Sequence, residues 1–254
     1  MEEVIIERKE RKLVIPGEEL GEGRAGRGAY YEDGKVFSKL VGLAENRDNL
    51  HFVIPLNGIY NPKRGDGIIG KVVDISFSKW IIDINSPYQA TLALNEAVDE
   101  FVDLNKTDLS KFFNYNDLIF AEIFSMSRTK MIQLSMKDRK CRKLRGGRVV
   151  HVTSAKVPRI IGKNGSMVEM IKELTGTQIV VGQNGIVWVK GENEDVAIEA
   201  INVIDEKSHM QGLTDHVKTM LTEKMKNRSL VKHVHTEEDA DNNKKHSEEE
   251  ENSY

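Results

Sequence analysis

Apolar positions fall in short, β-branched or alternating runs through the first half of the chain and at helical spacing through much of the second. Lys12–Pro16 reads as a short strand closed by Pro-Gly. Ala29–Glu32 and Lys35–Ser38 flank Asp33-Gly34, a dipeptide suited to the two left-handed positions of a type I′ hairpin. His51–Ile54 is one more strand of this group. A second group begins with Gly65–Ile75, a long strand carrying small residues where curvature is needed, followed by Trp80–Ile84 and Tyr88–Leu94. A helical or irregular crossing over Ser110–Tyr115 leads to Asp117–Phe124, and Met131–Ser135 closes the set. Beyond it, Arg148–Thr153 is β-branched, and Met167, Val168, Met170, Ile171 and Leu174 recur with the period of a helix. Gln178–Val181 and Ile186–Val189 flank Asn184-Gly185, a second hairpin signal, and Ala197, Ile201 and Ile204 stripe a later helix that Asn193 is placed to cap. Val217, Met220, Leu221 and Met225 give one face of a last short helix over Thr214–Lys226.

The centre of the third group is Gly162-Lys163-Asn164-Gly165, preceded by Arg159-Ile160-Ile161 and followed by Ser166. Ser166 with Glu169 has the spacing of a capping box, so a helix is expected to start at the second glycine. Its free N–H groups and positive dipole end then face the loop, where an anion is stabilised. Two glycines permit close approach of another backbone, and Lys163 adds charge. A bare G-x-x-G is a weak signal, and a glycine corner between packed helices is the plain alternative. The element order strand, helix, G-x-x-G, helix, strand, strand, helix decides between them, because it resembles a type I KH domain, whose loop clamps a short run of nucleotide backbone.

Five short strands with the long connection between the third and fourth describe an OB-fold barrel. The opening Gly65-Asp66, Gly70-Lys71-Val72 in the first strand and Trp80 with Asp83-Ile84 in the second resemble an S1 RNA-binding domain. Asn116-Asp117 stands where that family usually has Gly-Asp. Barrels of this type bind single strands on the face of the second and third strands, with aromatic residues for bases and Lys/Arg for phosphates. Candidates are Lys71, Phe77, Lys79, Trp80 and Tyr88. Trp80 and Tyr88 serve equally well as barrel core, whereas Phe77 and Lys79 fall in the first loop.

Of the 254 residues, 30% are charged and 6% aromatic, which suits several small modules better than one large core. The formal net charge of −3 hides an asymmetry. Residues 236–254 hold eight Asp/Glu against two Lys, a net of −6, so residues 1–235 sum to +3. Lys137–Lys163 holds ten Lys/Arg and one acid, Asp138, an electrostatic footprint for nucleic acid beside a phosphate-seeking loop. The lone Cys141 excludes a disulfide framework and a four-thiolate zinc site. His233 and His235 in the acidic tail are weak metal ligands, and neither metal nor cofactor is expected. Gly21–Gly26 matches the dinucleotide pattern G-x-G-x-x-G, but a polar stretch precedes it and a Tyr-rich hairpin follows, so a surface loop is expected. No run approaches membrane-spanning length and no apolar leader opens the chain, so a cytoplasmic protein is expected.

A mixed β and α+β multidomain chain results: a β-rich docking module over 1–60, the S1-like barrel over 64–138, the type I KH module over 146–208, a helix over 209–227 and a disordered acidic tail over 228–254. This order resembles the S1/KH cap subunit of the archaeal exosome, the ribosomal-RNA-processing protein four family, over residues 1 to about 227. The resemblance implies a non-catalytic role: a homotrimer capping a hexameric ring of RNase PH-type subunits, docked by its N-terminal module. It captures single-stranded RNA and feeds 3′ ends to the ring for degradation and processing. Arg159, Ile160, Ile161, Gly162, Lys163, Asn164, Gly165 and Ser166 are the RNA contacts it implies. An antitermination factor of S1-then-KH type would need two type II KH domains. A polynucleotide phosphorylase would need a catalytic core for which no residues remain.

Overall fold

The computed structural model describes residues 12–98, 108–208, 210 and 212–228. They form two compact units. One takes the chain up to Arg145 together with 151–158 and 181–187, and the other takes 146–150, 159–180 and the chain from Trp188 onward.

The N-terminal module is two small sheets. Strands β1 (Lys12–Val14), β2 (Glu19–Gly21), β3 (Arg24–Ala25), β4 (Ala29–Glu32), β5 (Lys35–Ser38), β6 (Gly42–Arg47) and β7 (Leu50–Pro55) arrange as β1-β6-β7-β3 and β2-β5-β4. The β4–β5 hairpin turns through Asp33 (φ 47°) and Gly34 (φ 84°), both left-handed as the dipeptide predicts. β6 is a strand the pattern did not announce, because Glu45, Asn46 and Arg47 fill it with polar side chains. Its hairpin to β7 turns through Asp48 (φ 49°) and Asn49 (φ 65°) by the same chemistry. The Gly21–Gly26 stretch contributes β3 and the end of β2, and no helix opens after it. The loop folds onto the buried His51 ring, whose Nε2 lies 3.0 Å from the Glu22 carbonyl. A Cβ on Gly23 would stand 2.6 Å from the Asn49 carbonyl oxygen, so packing explains this glycine without a nucleotide.

The barrel strands are β8 (Gly67–Ile75), β9 (Lys79–Asp83), β10 (Ala90–Ala93), β11 (Leu118–Met126) and β12 (Ile132–Ser135), with a one-turn helix α1 (Leu94–Ala97) after β10. Their order is β12-β10-β9-β8-β11, and β12 pairs back onto β11, so five strands close. Ile68, Val72, Trp80, Ile82, Leu92, Ile119, Ile123 and Leu134 fill the interior. A Cβ on Gly70 would lie 2.3 Å from Ile82 Cγ2, which is why the first strand needs a small residue there. In the crossing, Asp108 accepts the Ser110 N–H at 3.0 Å to start a 3₁₀ turn, and Leu109 and Phe113 drop into the core. Asn116 has φ 65°, a left-handed position that Asn tolerates better than most side chains, so it substitutes for the glycine of the S1 pattern without loss of the turn. A further strand, β13 (Arg142–Leu144), adds antiparallel to β11 within the basic run Lys137–Lys163, where the apolar pattern predicts no strand.

The KH module comprises β14 (Arg148–His151), α2 (Val157–Ile161), α3 (Ser166–Thr175), β15 (Gln178–Val181), β16 (Ile186–Lys190) and α4 (Glu194–Glu206), with sheet order β14-β16-β15. Val196, Ala197, Ala200, Ile201 and Ile204 are the buried stripe of α4. Asn193 stands at its N-cap position but does not cap it; its Nδ2 donates instead to the Thr175 carbonyl at 2.9 Å, tying the end of α3 to the start of α4. A last helix over 213–228 buries Leu213, Val217 and Leu221. Two surface ion pairs, Arg228–Asp195 at 2.8 Å and Lys224–Glu199 at 2.5 Å, fasten it to α4.

The acidic tail, with His233 and His235, lies outside the described residues. Among the described residues no helix is long and apolar enough to cross a membrane, and no group of three His, Cys, Asp or Glu is placed to hold a metal ion.

Candidate nucleic-acid interface

The Gly162–Gly165 loop is built by backbone conformations that few residues adopt. Gly162 has φ 76° and ψ 177°, and a Cβ there would stand 2.7 Å from the Met167 backbone nitrogen. Lys163–Gly165 is a 3₁₀ turn in which Asn164 (φ 55°) and Gly165 (φ 86°) are both left-handed. α3 starts at Ser166 as expected, but not through a capping box. Ser166 is already helical (φ −57°, ψ −36°), Gly165 occupies the cap position, and no side chain accepts the first N–H groups. The Ser166 N–H is taken by the Lys163 carbonyl, while the N–H groups that follow it have no side-chain cap, so the positive end of the helix dipole faces the loop and favours an anion there.

Arg159, Lys163, Asn164 and Ser166 are exposed, and Ile161, Gly162 and Gly165 are half-buried. Ile160 is the exception. At 0% exposure it is core and offers RNA no surface. Met167, Val168 and Ile171 on α3 are buried with it, so the exposed loop sits on a fixed floor.

The barrel candidates separate. Trp80 is fully buried, donates its Nε1–H to the Phe113 carbonyl at 3.0 Å and meets the Phe113 ring edge-on, centroids 5.2 Å apart. It plugs the barrel and is unavailable to a base, because a closed five-strand barrel needs one large interior residue more than the surface needs a platform. Phe77, 74% exposed, stands in the β8–β9 turn with exposed Lys79 beside it. Tyr88, 37% exposed, lies in the β9–β10 loop, at the other end of β9. Lys71 is exposed on β8, opposite Asp83. Phe77 and Lys79 thus form one group and Tyr88 another.

Near Tyr88 the structure adds a residue the sequence reading missed. Lys130 Nζ lies 5.7 Å from the Tyr88 ring centroid, held there by a tight Ser127–Met131 turn in which Lys130 has φ 62°. The signal available was the polar Ser127-Arg128-Thr129-Lys130 run between two strands, which carries cations into the same loop layer. Burial first, then the carboxylates of Asp138 and Glu122, push the Cys141 thiol up to about 11, which favours its protonated form at neutral pH.

Family models match the chain in three consecutive segments: the exosome RNA-binding protein Rrp4 N-terminal domain over residues 11–57, the Rrp4 S1 domain over 59–125 and a KH domain over 147–195. The exosome complex component Rrp4 of Thermococcus kodakarensis is 48% identical over 225 residues, covering 86% of this chain and 88% of the relative. The Rrp4 of Pyrococcus furiosus is 44% identical over 234 residues, covering 88% and 89%. A crystal structure assigned to an exosome complex RNA-binding protein superimposes with a TM-score of 0.62 at 29% identity, covering 67% of this chain and 99% of that one. With identity of this order along nearly the whole described chain, and the N-terminal, S1 and KH domains in one order, the chain belongs to the exosome Rrp4 family.

Proposed function

We propose that this protein is a non-catalytic, RNA-binding component of an archaeal exosome, present as three copies on a ring of RNase PH-type subunits. It captures single-stranded RNA and delivers 3′ ends to the ring for 3′-to-5′ degradation. The observation that carries the reading is the Gly162–Gly165 loop: left-handed at Gly162, Asn164 and Gly165, exposed at Lys163 and Asn164, with the N-terminus of α3 behind it and no side chain capping that end. Phe77, Lys79, Tyr88 and Lys71 on the barrel supply weaker, sequence-tolerant contacts by stacking and charge. Each contact is weak alone, and linking them in one chain, with three chains on one ring, raises the effective concentration of RNA at the ring. Docking is the task of the N-terminal module. Leu13, Ile15 and Val41 expose an apolar edge where β1 lies against β6, a surface suited to burial by another protein.

Replacing Lys163 and Asn164 together by Asp is expected to lower affinity for single-stranded RNA by at least about tenfold, or ~1.4 kcal/mol, with unchanged melting of the protein. Equal affinity of variant and parent at moderate salt would sink the clamp. Deleting residues 1–55 is expected to abolish co-elution with ring subunits while sparing RNA binding. RNA incubated with phosphate and the purified chain alone should keep its length; shortening would overturn the non-catalytic reading.

A further inference from the structure

The ten cations between Lys137 and Lys163 look alike in sequence and differ in the structure. Lys137 donates to Glu96 at 2.9 Å and lowers that carboxyl below the usual glutamate range. Lys143 is paired with Asp117, and Arg145 and Lys156 are also engaged. These charges hold the chain in place. Arg139, Lys140 and Arg142 are exposed, and among the described residues their side chains have no carboxylate partner.

Their positions are nonetheless fixed. Asp138, the one acid in the run, spends its carboxylate on the Lys140 N–H at 2.8 Å and its carbonyl on the Cys141 N–H at 2.9 Å. That turn displays Arg139 and Lys140. Immediately after it, β13 ladders onto β11 with Arg142 opposite Phe120 and with Leu144 buried as its pin. Residues directly opposite in an antiparallel pair share a face, so Arg142 stands beside Phe120 on the outside of the barrel. Phe124, exposed, continues that face along β11, and half-buried Glu122 between them is its one acid. Arg139, Lys140 and Arg142 outnumber the two acids around Cys141, Asp138 and Glu122, and a bound anion offsets the excess positive charge. Two aromatic rings beside them favour a polyanion that carries bases over an acidic peptide.

We propose that the Asp138 turn and β13 form a third RNA contact of this chain, in which Arg139, Lys140 and Arg142 bind phosphates of a single strand alongside Phe120 and Phe124. The contact rests on the RNA-binding reading above and adds to the KH loop and the barrel loops. The test compares the full chain with R139Q/K140Q/R142Q for binding to labelled oligo(A) RNA across a salt series. Each phosphate contact on a single strand contributes about 0.7 to the slope of log affinity against log salt, so loss of three should lower the slope by about 2. The charge-preserving R139K/K140R/R142K variant should keep the parent slope. Equal slopes for the parent and the glutamine variant would overturn the contact while leaving the KH clamp standing. Equal slopes with lost co-elution of ring subunits would assign the surface to a protein instead. A parent chain with no affinity for oligo(A) would overturn both this contact and the reading beneath it. All three side chains are exposed, so the glutamine variant should melt with the parent.

Discussion

The chain carries the pattern Gly-x-Asn-Gly twice, twenty positions apart, and uses it in opposite ways. Gly162-Lys163-Asn164-Gly165 is a surface loop with Asn164 exposed and left-handed. Gly182-Gln183-Asn184-Gly185 is the turn between β15 and β16, and Asn184 in it is 0% exposed. Its Nδ2 donates to the carbonyls of Ile69 at 2.7 Å and Ile84 at 2.9 Å, and its Oδ1 accepts the Ile69 N–H at 3.3 Å. The Gln183 N–H reaches the Gly67 carbonyl at 2.8 Å, and Asn85 donates to the Asn184 carbonyl at 3.2 Å. This second turn is an anchor on the barrel strands, within the same compact unit. One pattern therefore serves as a clamp where its amide is left to solvent and as a staple where every polar atom of the amide has a partner. The composition of the loop does not decide which; the surface opposite it does.

The sharpest way to break this comparison is the same isosteric change at both asparagines. Asn184→Asp turns a double donor into an acceptor facing two buried carbonyls and buries a carboxyl group. It should destabilise the protein by about 4 kcal/mol in urea unfolding, since unpaired buried charge and lost donors each cost several kcal/mol. Asn164→Asp keeps a residue that tolerates φ 55° in solvent, and should change stability by less than ~0.5 kcal/mol. Equal losses at the two sites would mean that the amide contacts of Asn184 contribute little.

The second glycines give a smaller contrast. Gly165 (φ 86°) and Gly185 (φ 80°) are both left-handed, so alanine costs about 1–2 kcal/mol at either by backbone strain alone. At Gly165 the nearest atom to an added Cβ is Glu169 Oε1 at 3.5 Å, the tip of an exposed side chain. At Gly185 it is the Val152 carbonyl oxygen at 2.4 Å, a backbone atom that cannot give way cheaply. Gly185→Ala should therefore cost roughly 1–3 kcal/mol more than Gly165→Ala, read as the difference between their unfolding free energies.

Much of the fold is legible because its signals are local. Asp33-Gly34 specifies its hairpin, the apolar runs of the barrel match strands within a few residues, and the helical spacing of Met167, Val168 and Ile171 is the buried face of α3. What escaped is what depends on distant partners. β6 and β13 are strands because β7 and β11 present free edges to polar segments. Trp80 and Ile160 sit among RNA-binding motifs yet point inward, and nothing adjacent in sequence distinguishes a base platform from a core plug. Asn184 was visible only as turn chemistry, since its partners at Ile69 and Ile84 are about a hundred residues away.

The two uses of the pattern also differ in what acid should do near them. The Asn184 staple is made of neutral amides, so its hydrogen bonds carry no titrating group. In the unit that holds the clamp loop, the helix over 213–228 is fastened to α4 by exposed ion pairs, and the hydrogen bond from Arg228 holds the Asp195 carboxyl below its ordinary value of 3.8. A carboxyl depressed in the folded state contributes its stability above the unfolded value, and loses it as pH falls through the lower, folded one. The effect is small because the pair is open to solvent, and surface pairs are worth roughly 0.2–1 kcal/mol before screening. Acidification below 3.8 should accordingly raise amide exchange in residues 213–228, measured relative to intrinsic rates, and added salt should do the same at neutral pH. Protection of the Gln183 amide by the Gly67 carbonyl and of the Ile69 amide by Asn184 Oδ1 should stay level over the same series until global unfolding sets in. Parallel loss at both places from the start would show that the helix and the staple open together, and would refute the independence of the neutral anchor from the ion pairs.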